Sequence, residues 1–194
     1  MRQHRVSLIL GAGLWAAAAH AGSQFNGPPP IMPLSGMILY HDARLGFAIA
    51  HPPHWSVDTA YKYEAPGKTI AGVSFTIAAA RAAGTNLSRD SRLSVEHLAG
   101  ACVASRFLDQ AQGQHDVSEG NRTYSLATTD EGAAGNRYEE TVYALAGTSP
   151  CVAIRYFIHS TNIANYDPGT VREFDRDGLL KTFDRMRRSL ALMK

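Results

Sequence analysis

From residue 37 onward, short apolar runs alternate with polar turns, a pattern that predicts a strand-rich domain. Residues 37–40 and 46–50 are apolar runs separated by His41-Asp42-Ala43-Arg44, which predicts a hairpin. Pro52-Pro53 must end it, because neither residue donates to a ladder. Residues 55–63 predict a strand or irregular edge, and residues 72–79 (GVSFTIAA) a buried strand. A long polar connection spans residues 81–94, where Ser94 suits an N-cap and Glu96 the first turn of a helix over 95–108. That helix would align Val95, Leu98, Ala99, Cys102 and Arg106 on one stripe. Beyond a Gly/Gln-rich loop, strands are predicted over 123–129, 136–146 and 151–160 as an antiparallel meander. Thr170 and Glu173 form a capping box for a terminal helix carrying Val171, Phe174, Gly178, Leu179, Phe183, Met186 and Leu190 on one face.

The first residues follow a different rule. Arg2 and Arg5 form a basic start, residues 6–19 are uncharged, and Ala19-His20-Ala21 offers small residues for cleavage before Gly22. Fourteen helical residues reach about 21 Å, short of the roughly 30 Å core of a bilayer. Residues 1–21 therefore read as a secretory signal peptide, and no integral membrane segment is expected after its removal. Residues 22–36, with four prolines and three glycines, read as a tether, and residues 37–194 as one domain.

Cutting the leader removes two arginines and no acid, leaving seventeen basic and seventeen acidic residues. A balanced chain without a basic run before its last helix leaves no electrostatic footprint for nucleic acid. Fifteen arginines against four lysines suggest a bacterial coding bias, hence a periplasmic or secreted location. Cys102 and Cys151 are the only cysteines, and in an exported chain the pair predicts a disulfide. In a strand, Cys151, Ala153, Arg155, Phe157 and His159 share one face, and Val152, Ile154, Tyr156 and Ile158 the other. A bond to Cys102 would lay helix 95–108 over the first face, leaving the second to the terminal helix. The expected fold is α+β, a mostly antiparallel sheet flanked by helices on both faces.

Gly46-Phe47-Ala48-Ile49, then His51-Pro52 and Trp55, resembles the opening motif of the PsbP-like/Mog1 family, and Phe183, Met186 and Leu190 fit its amphipathic last helix. The resemblance implies a sandwich of that type and an extrinsic, partner-binding or exported accessory role, rarely an enzyme. The long 80–94 loop and the cysteine pair depart from the family pattern.

Chemistry-bearing motifs are sparse. No nucleophile elbow, phosphate loop, dinucleotide fingerprint, zinc-protease helix or EF-hand loop is present, so no catalytic residue and no cofactor is assigned. His51 and His54 are the only metal candidates, and they lack further ligands nearby in sequence. Glu139 is expected opposite Arg155 as an ion pair, with Glu140 on the other face. The densest polar cluster supplies the candidate binding residues Asn136, Arg137, Tyr138, Glu139, Arg155, His159, Asn162 and Tyr166. The leading expectation is a non-enzymatic module that docks a protein or envelope component. One alternative is a hydrolase or metal-dependent enzyme with a site near His51, His54 and His159. Another is an inhibitor or immunity-type protein projecting its 81–94 loop.

Overall fold

The computed structural model describes residues 34–65 and 67–193. The leader and residues 22–33 of the tether lie outside the described residues. Eleven strands are present among them: β1 Ile38–Asp42, β2 Phe47–His51, β3 Ser56–Asp58, β4 Lys62–Ala65, β5 Lys68–Thr76, β6 Arg92–Leu98, β7 Gln112–Glu119, β8 Arg122–Ala133, β9 Asn136–Leu145, β10 Cys151–Thr161 and β11 Ala191–Leu192. Helix α1 is the single turn Ala79–Ala82, and α2 is Arg176–Ser189. Short 3-10 turns cover Ala104–Phe107 and Ile163–Asn165.

The strands form two antiparallel sheets. A small one has the order β1-β2-β11, and a large one runs β3-β5-β6-β10-β9-β8-β7, with β4 also paired to β5. The predicted opening hairpin is β1–β2, in the register Tyr40 to Ile49. Strand β10 lies mid-sheet between β6 and β9, which is why it is buried along most of its length.

The two-helix sandwich expected from the sequence is overturned. Residues 95–98 finish strand β6, and the rest of the predicted helix 95–108 is a loop ending in the Ala104–Phe107 turn. Two physical reasons explain this. Arg92, Ser94 and Glu96 alternate with Leu93, Val95 and His97, so a period of two competes with the helical stripe. Gly100 adopts φ +95°, a left-handed conformation that no helix interior accommodates. The fold remains a sheet-rich α+β arrangement with one substantial helix.

That helix packs where β10 needs cover. Leu179, Phe183, Met186 and Leu190 join Val152, Ile154, Tyr156 and Ile158 in the main core. Each such buried side chain contributes about 1.5–3 kcal/mol. On the disulfide face, Ala104, Phe107 and Leu108 close over Ala127, Val142, Ala144 and Ala153 in a smaller core. Cys102 and Cys151 are joined, with Cα atoms 4.8 Å apart across 49 residues of sequence. Helix α2 also starts later than its capping box implied. Asp175 is the N-cap, accepting from the Gly178 N–H at 2.9 Å, and residues 170–174 precede the helix. Strand β7 takes the place of most of the predicted Gly/Gln-rich loop, its polar residues suiting an exposed edge.

Candidate functional site

The β8–β9 hairpin closes through Ala134 (φ +50°) and Gly135 (φ +80°), the paired left-handed conformations of a tight two-residue turn. Ala134 is the one non-glycine residue with positive φ among those described, at a cost of about 1–2 kcal/mol. Register carries Asn136 opposite Thr161 and Arg137 opposite Ser160, so the turn overhangs the end of β10. Beside it, the loop after α1 is threaded between two extended segments. Leu87 bridges Ser160 on one side, and Thr85 bridges Arg172 on the other. The buried Asn86 side chain ties both, donating to the Thr161 carbonyl at 2.8 Å and accepting from the Phe174 N–H at 3.0 Å. Residues 85–88 of the long connection are thus tied down, while Arg89 and Asp90 stand exposed beyond them.

Between these parts lies a cleft of about 700 Å³. Its wall carries a row of alternating charges. Asp130 receives two hydrogen bonds from Arg137, at 3.0 and 2.6 Å. Arg137 Nη1 lies 3.8 Å from Glu139, and Arg176 donates to Glu139 at 3.0 and 2.6 Å. Glu139, only 12% exposed, is the hub. The hydrogen bonds from Arg137 hold the Asp130 carboxyl below its ordinary range. Asn86, Asn136, Ser160, Thr161, Asn162 and Glu173 complete the polar lining, with Phe174 and Ile163 among its apolar part.

The structure brings together four of the eight candidate binding residues in this cleft: Asn136, Arg137, Glu139 and Asn162. Tyr138 and His159 stack on each other with ring centroids 4.4 Å apart. His159 Nδ1 lies 2.9 Å from Asp90 Oδ1, and Nε2 lies 3.1 Å from Asn136 Oδ1. Tyr166 sits in an exposed stretch outside the cleft lining. Arg155 is fully buried. It donates to both oxygens of Glu96 at 2.8 and 2.9 Å, to the Phe107 carbonyl at 2.6 Å and to Glu140. The expected Glu139–Arg155 pair is therefore corrected to Glu140–Arg155. Phe157 pairs with Glu140 and Ile158 with Glu139, so Glu140 shares the Arg155 face.

Sequence reading missed Asp130, Arg176, Glu173, Phe174 and Asn86 as cleft residues. Asp130 continues β8 beyond its predicted end at residue 129, and Arg176 opens α2 where the capping box predicts its interior.

The histidine candidates do not converge on a metal geometry. His51 is 4% exposed, its Nδ1 is 2.9 Å from the Pro52 carbonyl, and burial lowers its pKa. His54 is exposed. Among the described residues, no group of three or more His, Cys, Asp or Glu side chains is arranged to hold a metal ion.

No family model matches the chain, and no curated protein matches it either. Solved structures similar to it include two bacterial proteins. One is the cyanobacterial PsbP protein (CyanoP) from Synechocystis sp. PCC 6803, at 13% identity and TM-score 0.45, covering 86% of this chain and 98% of that one. The other comes from Bacteroides thetaiotaomicron VPI-5482, also at 13% identity, with TM-score 0.44. The match covers 83% of this chain and half of that protein's length. The first bears the family name that the Gly46–Trp55 motif suggested. A likeness of this degree assigns no activity.

Proposed function

We propose that this chain is an exported accessory module that holds a segment of a partner protein in the cleft and performs no chemistry there. The observation that carries this reading is the Asp130–Arg137–Glu139–Arg176 row. Each carboxylate in the row is already matched to a guanidinium, and Glu173 is the single further acid of the lining, so the wall offers oriented hydrogen-bonding groups in place of a paired acid and base. The asparagine-rich floor adds donors and acceptors suited to a peptide backbone. Export is supported by the leader pattern of residues 1–21 and is compatible with the Cys102–Cys151 bond.

A hydrolytic reading draws on one arrangement, the Asp90–His159 contact. There the second ring nitrogen faces an amide oxygen, whereas nucleophile activation needs a hydroxyl or thiol at that position.

A photo-crosslinking residue at Asn162 tests the docking reading in the native envelope. It should capture one partner that the same residue placed at Asp58, on the far edge strand, does not. Arg137→Ala and Arg176→Ala should each weaken that capture. Equal capture from both positions, or indifference to both arginine changes, rejects the cleft as the docking site.

A further inference from the structure

Far from the cleft, α2 ends in a surface of different character. Lys181, Arg185 and Arg188 are exposed and spaced i, i+4, i+7, which aligns them on one outward stripe. The stripe runs into Leu192 and Met193, 38% and 36% exposed. Ile38, 48% exposed, lies on the same small sheet. Three of the four large exposed apolar side chains among the described residues therefore belong to this sheet and its C-terminal extension.

Asp177, exposed one turn before Lys181, stands at the start of the stripe, and Arg185 donates to the Ser35 carbonyl at 2.8 Å; the acids nearer Arg188 are engaged elsewhere. Glu119 is held by the buried Arg187 through two bonds of 2.8 and 2.9 Å, and Asp184 accepts from Tyr156 and Arg187. Arg188 meets Glu119 only at 3.5 Å and is 60% exposed. Arg122 joins from the side, donating to the Leu190 carbonyl. A recess of about 520 Å³ is lined by Arg122, Arg188, Asn121 and Tyr124, with Glu119, already held by Arg187, as its one acid.

We propose that this pole is a docking surface for an anionic bilayer, with lipid phosphates against Arg122, Arg185 and Arg188 and with Leu192 and Met193 entering the headgroup boundary. Cations beside exposed aliphatic side chains match the two layers of such a surface, charge outside and hydrocarbon just beneath. An acidic protein would satisfy the arginines while leaving Leu192 and Met193 without a partner layer. The proposed association is peripheral and reversible, resting on charge and two exposed side chains. It is independent of the cleft.

The test is co-sedimentation of the exported protein with vesicles of phosphatidylglycerol mixed into phosphatidylcholine, against phosphatidylcholine alone. Binding to the anionic vesicles, release by high salt, and little retention on the neutral ones are expected. Each arginine neutralised should weaken binding about fivefold, so Arg185→Gln with Arg188→Gln should lose about 30-fold. Leu192→Ser should weaken binding while leaving the salt response intact. Circular dichroism of these surface variants confirms the fold. Equal binding to both vesicle types, or an unchanged affinity in the double variant, overturns the proposal. So does binding of inorganic phosphate or of an acidic polypeptide with no binding to vesicles.

Discussion

Arg155 and Ala134 are two residues whose surroundings set their energetic cost. Arg155 is enclosed by Glu96, Glu140, the Phe107 carbonyl and the Tyr63 ring, 3.5 Å from its guanidinium carbon. Removing one member of a buried set strands the others without water. Arg155→Ala is therefore expected to cost about 3–5 kcal/mol, read from the urea midpoint, because the fully buried Glu96 loses its counter-charge. A cost below that of an ordinary surface substitution would refute the enclosure. Ala134 runs the other way. Its left-handed φ of +50° strains an L-residue with a Cβ, and glycine relieves it. Ala134→Gly should raise stability by about 1 kcal/mol in the same assay. The sequence marks Arg155 as the partner of a glutamate but sets Glu139 opposite it where the register brings Glu140, and its complete burial depends on pairing far along the chain.

Among the elements, the strands of the meander and the face assignments of β10 were legible, because alternation with one or both faces buried leaves a clear period of two. What failed was the segment after residue 92. Its apolar residues satisfy both periods, and the structure resolves the tie by hydrogen-bonding β6 between β5 and β10. A strand buried on both faces carries core residues at successive positions, which mimics a short helix. The cleft was half legible for a related reason. Strand and turn residues 136–139 announced themselves by composition, whereas Asp130 joins them through the register of the β8–β9 hairpin and Asn86 and Arg176 through long-range contacts. The disulfide staples the loop after β6 to the start of β10. Closing 49 residues of chain contributes up to about 4 kcal/mol. Cys102→Ser with Cys151→Ser should lower the unfolding free energy by up to that amount in urea. A loss near zero would mean that strand pairing alone sets the geometry.

For the molecule as a whole, acid should lower stability in two pH windows. Burial lowers the pKa of His51 and of His97 from 6.5. Their folded forms resist protonation, so the stability they contribute is complete above about pH 6.5 and is lost as pH falls below it. Glu119 is held at about 2 from an ordinary 4.5, chiefly by hydrogen bonds from Arg187. Its contribution is complete above 4.5 and disappears as pH falls towards 2. Urea midpoints measured across pH should fall in both windows. Glu119→Gln should flatten only the lower one, while lowering the baseline by leaving Arg187 short of a partner. Two arginine clamps thus lie on opposite sides of one sheet, Arg155 on the disulfide side and Arg187 reaching in from α2 to the Tyr156 hydroxyl. Dissolved ions screen charges that water reaches and scarcely touch those it does not. Raising ionic strength should accordingly loosen the exposed Asp130–Arg137 end of the cleft wall while the two interior rivets hold. The same molecule would let go of its charged contacts in brine without coming apart.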